Sequence, residues 1–121
     1  MPSIRAVELE QFGKALFVAA GISADDAKQV AASLVGANLR GHDSHGVMRI
    51  PFYISAVKEG RLHPGVELKV TNETPAVVVC DAGWGLGQVQ AQRLVQKLIT
   101  KAKLLGVACG AMQRSGHIGR V

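Results

Sequence analysis

The chain has 121 residues, of which 48% are hydrophobic and 19% charged, a composition that can bury a core and excludes a disordered tail. Lysine and arginine number 14 against nine aspartate and glutamate, but these basic residues are scattered and not interleaved with aromatic ones, which argues against nucleic-acid binding. No apolar run is long enough to span a membrane and no signal peptide is evident, so we expect a soluble, cytoplasmic protein.

The first part of the chain predicts two helices. Residues 7–20 carry apolar side chains at three- and four-residue spacing and end at Gly21, which indicates a short amphipathic helix. Ser23, followed by two aspartates, predicts the cap of a second helix that ends near Arg40, because Gly41 breaks it. The positions that form the apolar faces of the two helices are Leu9, Phe12, Leu16, Ala20, Ala27, Val30, Ala31 and Leu34.

A third helix follows, and Pro51 leaves its start open, because proline suits a first helical turn but not a helix interior. If the backbone is already helical from about Val47, then His45, Arg49 and Tyr53 lie four residues apart and project to one side.

The rest of the chain predicts a sheet. The run VELKV (66–70) alternates in polarity, and AVVVC (76–80) is continuously apolar, which is typical of a strand buried on both faces. Residues 88–105 return to helical periodicity before the apolar run VACGAM (107–112). Strand, helix and strand together indicate a βαβ unit with parallel strands.

These elements predict an α/β fold in two parts, a three-helix subdomain over residues 1–64 and the beginning of an α/β subdomain over 65–121. Cys80 and Cys109 lie in apolar runs, so we expect both to be buried, reduced thiols. Because no further element closes the sheet, we expect the sequence to be part of a longer protein.

The stretch GHDSHG concentrates reactive side chains. His42, Asp43 and His45 are ordinary metal ligands, but their spacing and the lack of an evident third partner leave a simple polar turn as the alternative. General acid chemistry requires only one histidine and a neighbour that fixes its tautomer, a role open to Ser44 or Asp43.

Arg49 and Tyr53 extend this candidate site. A guanidinium can hold a carboxylate with two hydrogen bonds, and a tyrosine can donate one at a pocket wall, which suggests an anionic substrate. The alternatives are that Arg49 is a solvated surface residue and Tyr53 belongs to the core.

Two glycine-rich segments follow. In DAGWGLGQ the glycines alternate as G-x-G-x-G, which differs from a dinucleotide fingerprint and favours a flexible turn with Trp84 capping a core. In SGHIGR, His117 lies after a predicted strand, where open sheets place ligands. Backbone amides near Gly119 and the charge of Arg120 would suit a phosphate.

The motifs ANLRGHDSHGVMRIPFYISAVKEGRL, GLGQVQAQ and SGHIGRV resemble the family of malate, L-lactate and sulfolactate dehydrogenases that lacks the usual Rossmann fold. Within that family, the chain is most similar to bacterial hydroxycarboxylate dehydrogenases. The resemblance implies a helical subdomain, a distinctive α/β cofactor-binding domain and a homodimer with its active site between domains. Family members are much longer than this sequence.

The resemblance also implies roles for single residues. His45 would be the proton donor to a carbonyl oxygen and lie beside the nicotinamide, with Ser44 supporting it by a hydrogen bond. His117 would be a second histidine, proposed as acid or base in some members, so the choice between the two stays open. Arg49 and Tyr53 correspond to substrate-binding positions.

For the cofactor, NAD or NADP, the resemblance implies contacts with His45, Gly119, Arg120 and Val121. The predicted function is NAD(P)H-dependent interconversion of 2-oxo acids and 2-hydroxy acids, with the 121 residues alone inactive. The partners expected are a small 2-oxo or 2-hydroxy carboxylic acid and a second subunit, but neither nucleic acid nor membrane.

Two alternatives stay open at this point. One is a non-catalytic nucleotide- or anion-binding module. The other is a small metal-dependent hydrolase that uses His42, His45 and His117.

Overall fold

The computed structural model describes residues 2–120, which contain both α-helices and a β-sheet, so the predicted α/β class is confirmed. The fold divides into two compact units. The first takes in the described residues up to Gly65 together with Gly119 and Arg120, and the second runs from Val66 to Ile118. The assignment of these parts as separate domains stays a prediction. No helix within residues 2–120 combines the length and apolarity needed to cross a membrane.

Two helices open the first unit, as predicted. Helix α1 spans Ala6–Ala19 and helix α2 spans Ala24–Leu39. The hydroxyl of Ser23 accepts a hydrogen bond from the amide of Asp26 at 3.3 Å, which satisfies one of the amides that a helix start leaves unpaired. The four positions predicted for the apolar face of α2 are buried: Ala27, Val30, Ala31 and Leu34.

The buried face of α1 differs from the predicted one. Phe17 is fully buried and Gly13 is buried one turn before it, whereas Phe12 is 61% exposed. A Cβ atom at Gly13 would lie 3.4 Å from the Cβ of Ala31, at van der Waals contact, so Gly13 marks the side of α1 that packs on α2. Apolar spacing could not indicate this face, because a glycine does not count in an apolar pattern.

The third helix begins later than residue 47. Helix α3 spans Ile50–Lys58, with Pro51 in its first turn, and two 3₁₀ turns precede it at Asp43–His45 and Val47–Arg49. The proline lies where its missing amide costs no helical hydrogen bond.

The second unit contains a βαβ arrangement, as predicted. Strand β1 (Lys69–Glu73) pairs antiparallel with β2 (Val77–Asp81), and helix α4 (Gly87–Leu105) leads to β3 (Cys109–Gln113), which pairs parallel with β2. The strand order is β1-β2-β3, so β2 is central. The run 66–70 is therefore a strand only at its end.

Two burial predictions for this unit are wrong. Strand β2 is not buried on both faces, because Val78 and Cys80 point into a cluster with Leu94 of α4 while Val77 is 37% exposed. Within the unit, α4 packs on only one face of the sheet, and a strand covered on one side alternates. The thiol of Cys80 is buried as predicted, but Cys109, at the start of edge strand β3, is exposed.

Candidate functional site

The histidine segment, residues 42–49, follows directly from the end of α2. Gly41 has a φ of +74°, in the left-handed region that favours glycine, and turns the chain out of the helix. The amide of His42 then donates to the carbonyl oxygen of Ala37 at 2.9 Å, and the amide of His45 donates to the carbonyl oxygen of His42 at 3.0 Å. Backbone hydrogen bonds therefore set the path of the segment from the helix to the second histidine.

The imidazole of His45 lies beside the side chains of Ser44 and His42. The hydroxyl of Ser44 lies 3.0 Å from its Nδ1 atom, and the ring of His42 lies with its centroid 4.1 Å away at an interplanar angle of 39°. A serine hydroxyl can accept from Nδ1 when that nitrogen carries a proton and donate to Nδ1 when it does not, so this contact is possible with either state of Nδ1.

The pKa of His45 lies below that of an ordinary histidine. The largest cause is desolvation, which disfavours the charged ring, and the charges of His42 and Arg49 lower the pKa further. The segment therefore favours the neutral imidazole in the absence of a bound anion.

The side chain of Arg49 is hydrogen-bonded to the same serine. Its Nε atom donates to the backbone carbonyl oxygen of Ser44 at 2.8 Å, and its guanidinium carbon lies 6.0 Å from the centroid of the Phe52 ring. The side chain is half-buried, so Arg49 is an anchored residue and not a freely solvated one. The Nη groups are the remaining donors of the fork.

Tyr53 lies in the core. It is 1% exposed, and its ring centroid is 6.2 Å from that of Phe17. The alignment of His45, Arg49 and Tyr53 depended on an α-helix from about residue 47, and that condition is not met, because two 3₁₀ turns separated by the extended Gly46 precede α3. The structure thus brings His45 and Arg49 together through Ser44 and places Tyr53 in the packing of the helices.

Hydrogen bonds to Asp81 hold the start of the loop between β2 and α4. One carboxylate oxygen of Asp81 accepts from the amide of Gly83 at 2.8 Å, and Arg114 binds both carboxylate oxygens. The hydrogen bond from Arg114 and then that from Gly83 lower the pKa of Asp81. Trp84 does not cap a core, since it is 46% exposed. Its backbone has a left-handed φ of +59°, and its amide donates a hydrogen bond to the carbonyl oxygen of Arg114 at 2.6 Å.

The third glycine of this loop makes room for protein backbone. A Cβ atom at Gly87 would lie less than 3.0 Å from the carbonyl oxygens of Gly116 and His117. A side chain at position 87 would collide with this backbone, so the close packing of the segment at Gly116 and His117 against the start of α4 explains the glycine.

The predicted second histidine and the other predicted cofactor residues lie in the sequence after β3. His117 is half-buried in a segment without helix or strand, Gly119 has a left-handed φ of +80°, and Arg120 is exposed. Val121 lies outside the described residues. The roles predicted for all four stay predictions.

The metal-binding alternative requires at least three ligands in one place. Residues 2–120 contain no cluster of three or more histidine, cysteine, aspartate or glutamate side chains that could hold a metal ion. In the described structure, Asp43 instead accepts a hydrogen bond from the side-chain amide of Asn38 at 2.7 Å.

A sequence profile of malate/L-lactate dehydrogenases matches residues 4–121, which is almost the whole chain. The chain belongs to the malate/L-lactate dehydrogenase family. The family predicted from the motifs is thereby confirmed.

Two curated members of the family illustrate the similarity. The chain is 40% identical over 99 residues to L-sulfolactate dehydrogenase of Methanocaldococcus jannaschii, a match that covers 82% of the chain and 29% of the relative. It is 39% identical over 116 residues to hydroxycarboxylate dehydrogenase B of Escherichia coli, covering 96% of the chain and 32% of the relative. The chain therefore spans about a third of the length of the curated relatives it matches.

Solved structures of the malate/L-lactate dehydrogenase family have the same fold. Malate dehydrogenase of Pyrococcus horikoshii superimposes with a TM-score of 0.94 at 33% identity, covering 98% of this chain and 34% of that one. The sulfolactate dehydrogenase of Methanocaldococcus jannaschii gives a TM-score of 0.91 at 34% identity, covering 96% of this chain and 34% of that one.

In this malate/L-lactate dehydrogenase chain, sequence reasoning missed Gln90, a polar residue inside the apolar pattern of α4. It is 1% exposed, and its amide nitrogen donates to the carbonyl oxygens of Val66 at 3.1 Å and Ala82 at 3.0 Å. Its amide oxygen accepts from Arg93 at 3.1 Å. Gln90 thus holds the segment before β1 and the residue after β2. The helical periodicity of residues 88–105 gave no signal for a buried glutamine at this position.

Sequence reasoning also missed Asn38, in the last turn of α2. Besides its bond to Asp43, its amide oxygen accepts from the amide of Val47 at 2.9 Å. A helical asparagine four residues before the first histidine carries no distinct signal, because helix ends commonly contain one.

Proposed function

We propose that the full-length protein is an NAD(P)H-dependent oxidoreductase that interconverts 2-oxo acids and 2-hydroxy acids. Membership of the malate/L-lactate dehydrogenase family supports this reaction class, since its relatives are named sulfolactate, hydroxycarboxylate and malate dehydrogenases. One observation carries the proposal for this chain. Ser44 contacts the imidazole of His45 through its hydroxyl and the guanidinium of Arg49 through its carbonyl oxygen.

Arg49 is the proposed carboxylate-binding residue. Its Nε is held by the carbonyl oxygen of Ser44, so the two Nη groups point away from that anchor as a planar pair. A planar pair of donors matches the two oxygens of a carboxylate, and the adjacent ring of Phe52 restricts how far the guanidinium can swing.

His45 is the proposed proton donor. A reduced nicotinamide, when bound, supplies the hydride to the carbonyl carbon of the 2-oxo acid. Negative charge then develops on the former carbonyl oxygen, and protonated His45 donates its Nε2 proton there and becomes neutral. Nδ1 keeps its proton in this transfer, so Ser44 accepts from Nδ1 both before and after it, which keeps the ring oriented through the reaction.

The residues present fit a nicotinamide cofactor through the chemistry of their donors. We propose cofactor contacts from His45, Gly119, Arg120 and Val121. The left-handed backbone at Gly119 has no Cβ to block a close approach, and the exposed guanidinium of Arg120 complements a pyrophosphate. His117 is the proposed second acid or base.

We also propose Tyr53 as a substrate-binding position; because it is 1% exposed, it would act from within the packing of the helices. We further propose that the enzyme uses NAD or NADP, acts as a homodimer and is cytoplasmic. These points rest on the family resemblance. Assays with each cofactor, the mass of the protein in solution and its location in fractionated cells test them.

The reaction is tested with the full-length protein and either NADH or NADPH in the presence of pyruvate, 2-oxoglutarate, phenylpyruvate or oxaloacetate. We expect the absorbance of the reduced nicotinamide to fall with at least one pair. His45→Ala should lower kcat by about 10²–10⁴-fold with unchanged thermal unfolding. His63→Ala, which removes an exposed histidine of the same unit, is the matched control. Absence of oxidation with every pair, or normal turnover of His45→Ala, would refute the proposal.

A further inference from the structure

The side chain of Asn38 joins α2 to both ends of the turn that carries His45. Its amide nitrogen donates to a carboxylate oxygen of Asp43 at 2.7 Å, and its amide oxygen accepts from the amide of Val47 at 2.9 Å. The orientation of this amide is fixed by its partners, because a carboxylate only accepts and a backbone amide only donates. With Asp43 and Val47 as its partners, position 38 therefore needs a side chain that has both a hydrogen-bond donor and an acceptor.

The segment is shaped to receive that amide. A Cβ atom at Gly46 would lie less than 3.0 Å from the Oδ1, Cγ and Nδ2 atoms of Asn38. The backbone of Gly46 has a φ of −92°, which any residue adopts, so conformational freedom does not explain the glycine. The glycine of the S-H-G motif is instead explained by the space that Asn38 occupies.

The segment needs such support. The backbone hydrogen bonds on either side of Ser44 belong to a single 3₁₀ turn, from the amide of His45 to His42 and from the amide of Gly46 to Asp43, and short 3₁₀ turns have poor hydrogen-bond geometry. The bonds of Asn38 connect this segment to the last turn of a 16-residue helix whose inner face is buried. The bond to the carboxylate of Asp43 is charge-assisted and therefore among the stronger ones.

We propose that Asn38 is the positioning residue of the site, which holds residues 43–47 in the conformation that places the imidazole of His45. The kinetic part of this inference rests on the proposed function. A displacement of about 1 Å of a reacting group can lower the rate by about 10²-fold, so loss of this support reduces turnover although Asn38 touches no substrate.

A charge swap tests this role. Asn38→Asp keeps an acceptor for Val47 but places a second carboxylate against Asp43, which removes one hydrogen bond and adds repulsion. The double variant N38D/D43N restores both bonds, because the carboxylate at 38 accepts from Val47 and from the new amide at 43, and the net charge returns to that of the wild type. Asn72→Asp, on the exposed strand β1, repeats the charge change of the single variant away from the segment.

The experiment measures kcat of the full-length protein with its best 2-oxo acid, together with thermal unfolding and the ring resonances of His45 in histidine-labelled protein. We expect N38D to lower kcat by about ten- to hundredfold and to shift the His45 resonances. We expect N38D/D43N to recover most of the wild-type kcat and the wild-type positions of the His45 resonances, and N72D to resemble the wild type in both measurements. An N38D variant with wild-type kcat and resonances, or a double variant that recovers neither, would overturn the proposal.

Failure of the proposed function gives a different result. If the wild type oxidises no reduced nicotinamide with any 2-oxo acid, the oxidoreductase proposal is refuted, and the His45 resonances alone decide the positioning role. A shift in N38D that N38D/D43N reverses supports it, and unchanged resonances in N38D overturn it.

Discussion

Arg49 donates its Nε hydrogen bond to the backbone carbonyl oxygen of Ser44 at 2.8 Å, while the hydroxyl of that serine lies 3.0 Å from Nδ1 of His45. One residue therefore orients both the group that would hold a carboxylate and the group that would donate a proton. The carboxylate and the carbonyl of a 2-oxo acid are adjacent, so this link matches the shape of such a substrate. A change at Arg49 should accordingly affect binding more than the proton transfer itself.

Arg49→Lys should raise KM for the 2-oxo acid. Lysine keeps the charge but loses both the Nε anchor and the planar fork, and one hydrogen bond to a charged group is worth about 1.5–3 kcal/mol. We expect KM to rise by roughly ten- to hundredfold with a smaller change in kcat. Steady-state kinetics check this, with Arg61→Lys as control, because Arg61 lies 5.6 Å from the same Phe52 ring but is exposed. Unchanged KM in Arg49→Lys would remove it from substrate binding.

His42→Gln should move the pH dependence of the reduction. Reduction needs protonated His45, so kcat/KM falls as pH rises through its pKa in the free enzyme. That pKa is lowered by desolvation and also by the neighbouring His42. Removing His42 takes away one of the lowering causes, so the falling limb should shift toward higher pH. The pH profiles of kcat/KM for the wild type and His42→Gln measure the shift. If the falling limb lies at the same pH in both proteins, a group other than His45 controls it.

Phe17→Ala should destabilise the protein strongly. The ring is fully buried and lies 6.2 Å from the ring of Tyr53, and removal of a buried phenylalanine side chain typically costs about 3–5 kcal/mol. Phe12→Ala is the matched control in the same helix, because Phe12 is 61% exposed and should change the free energy of unfolding by less than about 0.5 kcal/mol. Urea unfolding of both variants tests the pair. Equal losses would mean that the buried face of α1 is assigned wrongly.

Sequence patterns predicted the helices and the βαβ unit because these depend on local periodicity and on caps such as Ser23. The same patterns failed to predict burial where it depends on which neighbouring helix or strand an element packs against. Phe12 was predicted on the apolar face of α1, but the side that packs on α2 is the one marked by Gly13 and contains Phe17 instead. Cys109 lies in an apolar run but on an edge strand, and strand order is not visible in its neighbours.

The candidate site was predictable in its reactive residues but not in its support. His45 and Arg49 are recognisable by their chemistry, and the motif resemblance gave the family correctly. Asn38 was not recognisable, because its partners lie five and nine residues away and depend on how the turn folds back on α2. The possible alignment of His45, Arg49 and Tyr53 likewise required an α-helix from about residue 47, where the structure has 3₁₀ turns.

Arg114→Gln should reduce stability at neutral pH and make it less sensitive to acid. Hydrogen bonds from Arg114 and from the amide of Gly83 lower the pKa of Asp81. A group with a lowered pKa contributes stability above its ordinary pKa, and this contribution is lost as pH falls through the lowered value. Without Arg114, the pKa of Asp81 returns toward that of an ordinary aspartate, so less stability is lost on acidification. Unfolding midpoints in urea from about pH 7 to about pH 2 measure the difference. Lys103→Gln, an equal charge change at an exposed residue in the last turn of α4, should keep the acid sensitivity of the wild type. If Arg114→Gln loses as much stability on acidification as the wild type does, a stabilising role for this ion pair is contradicted.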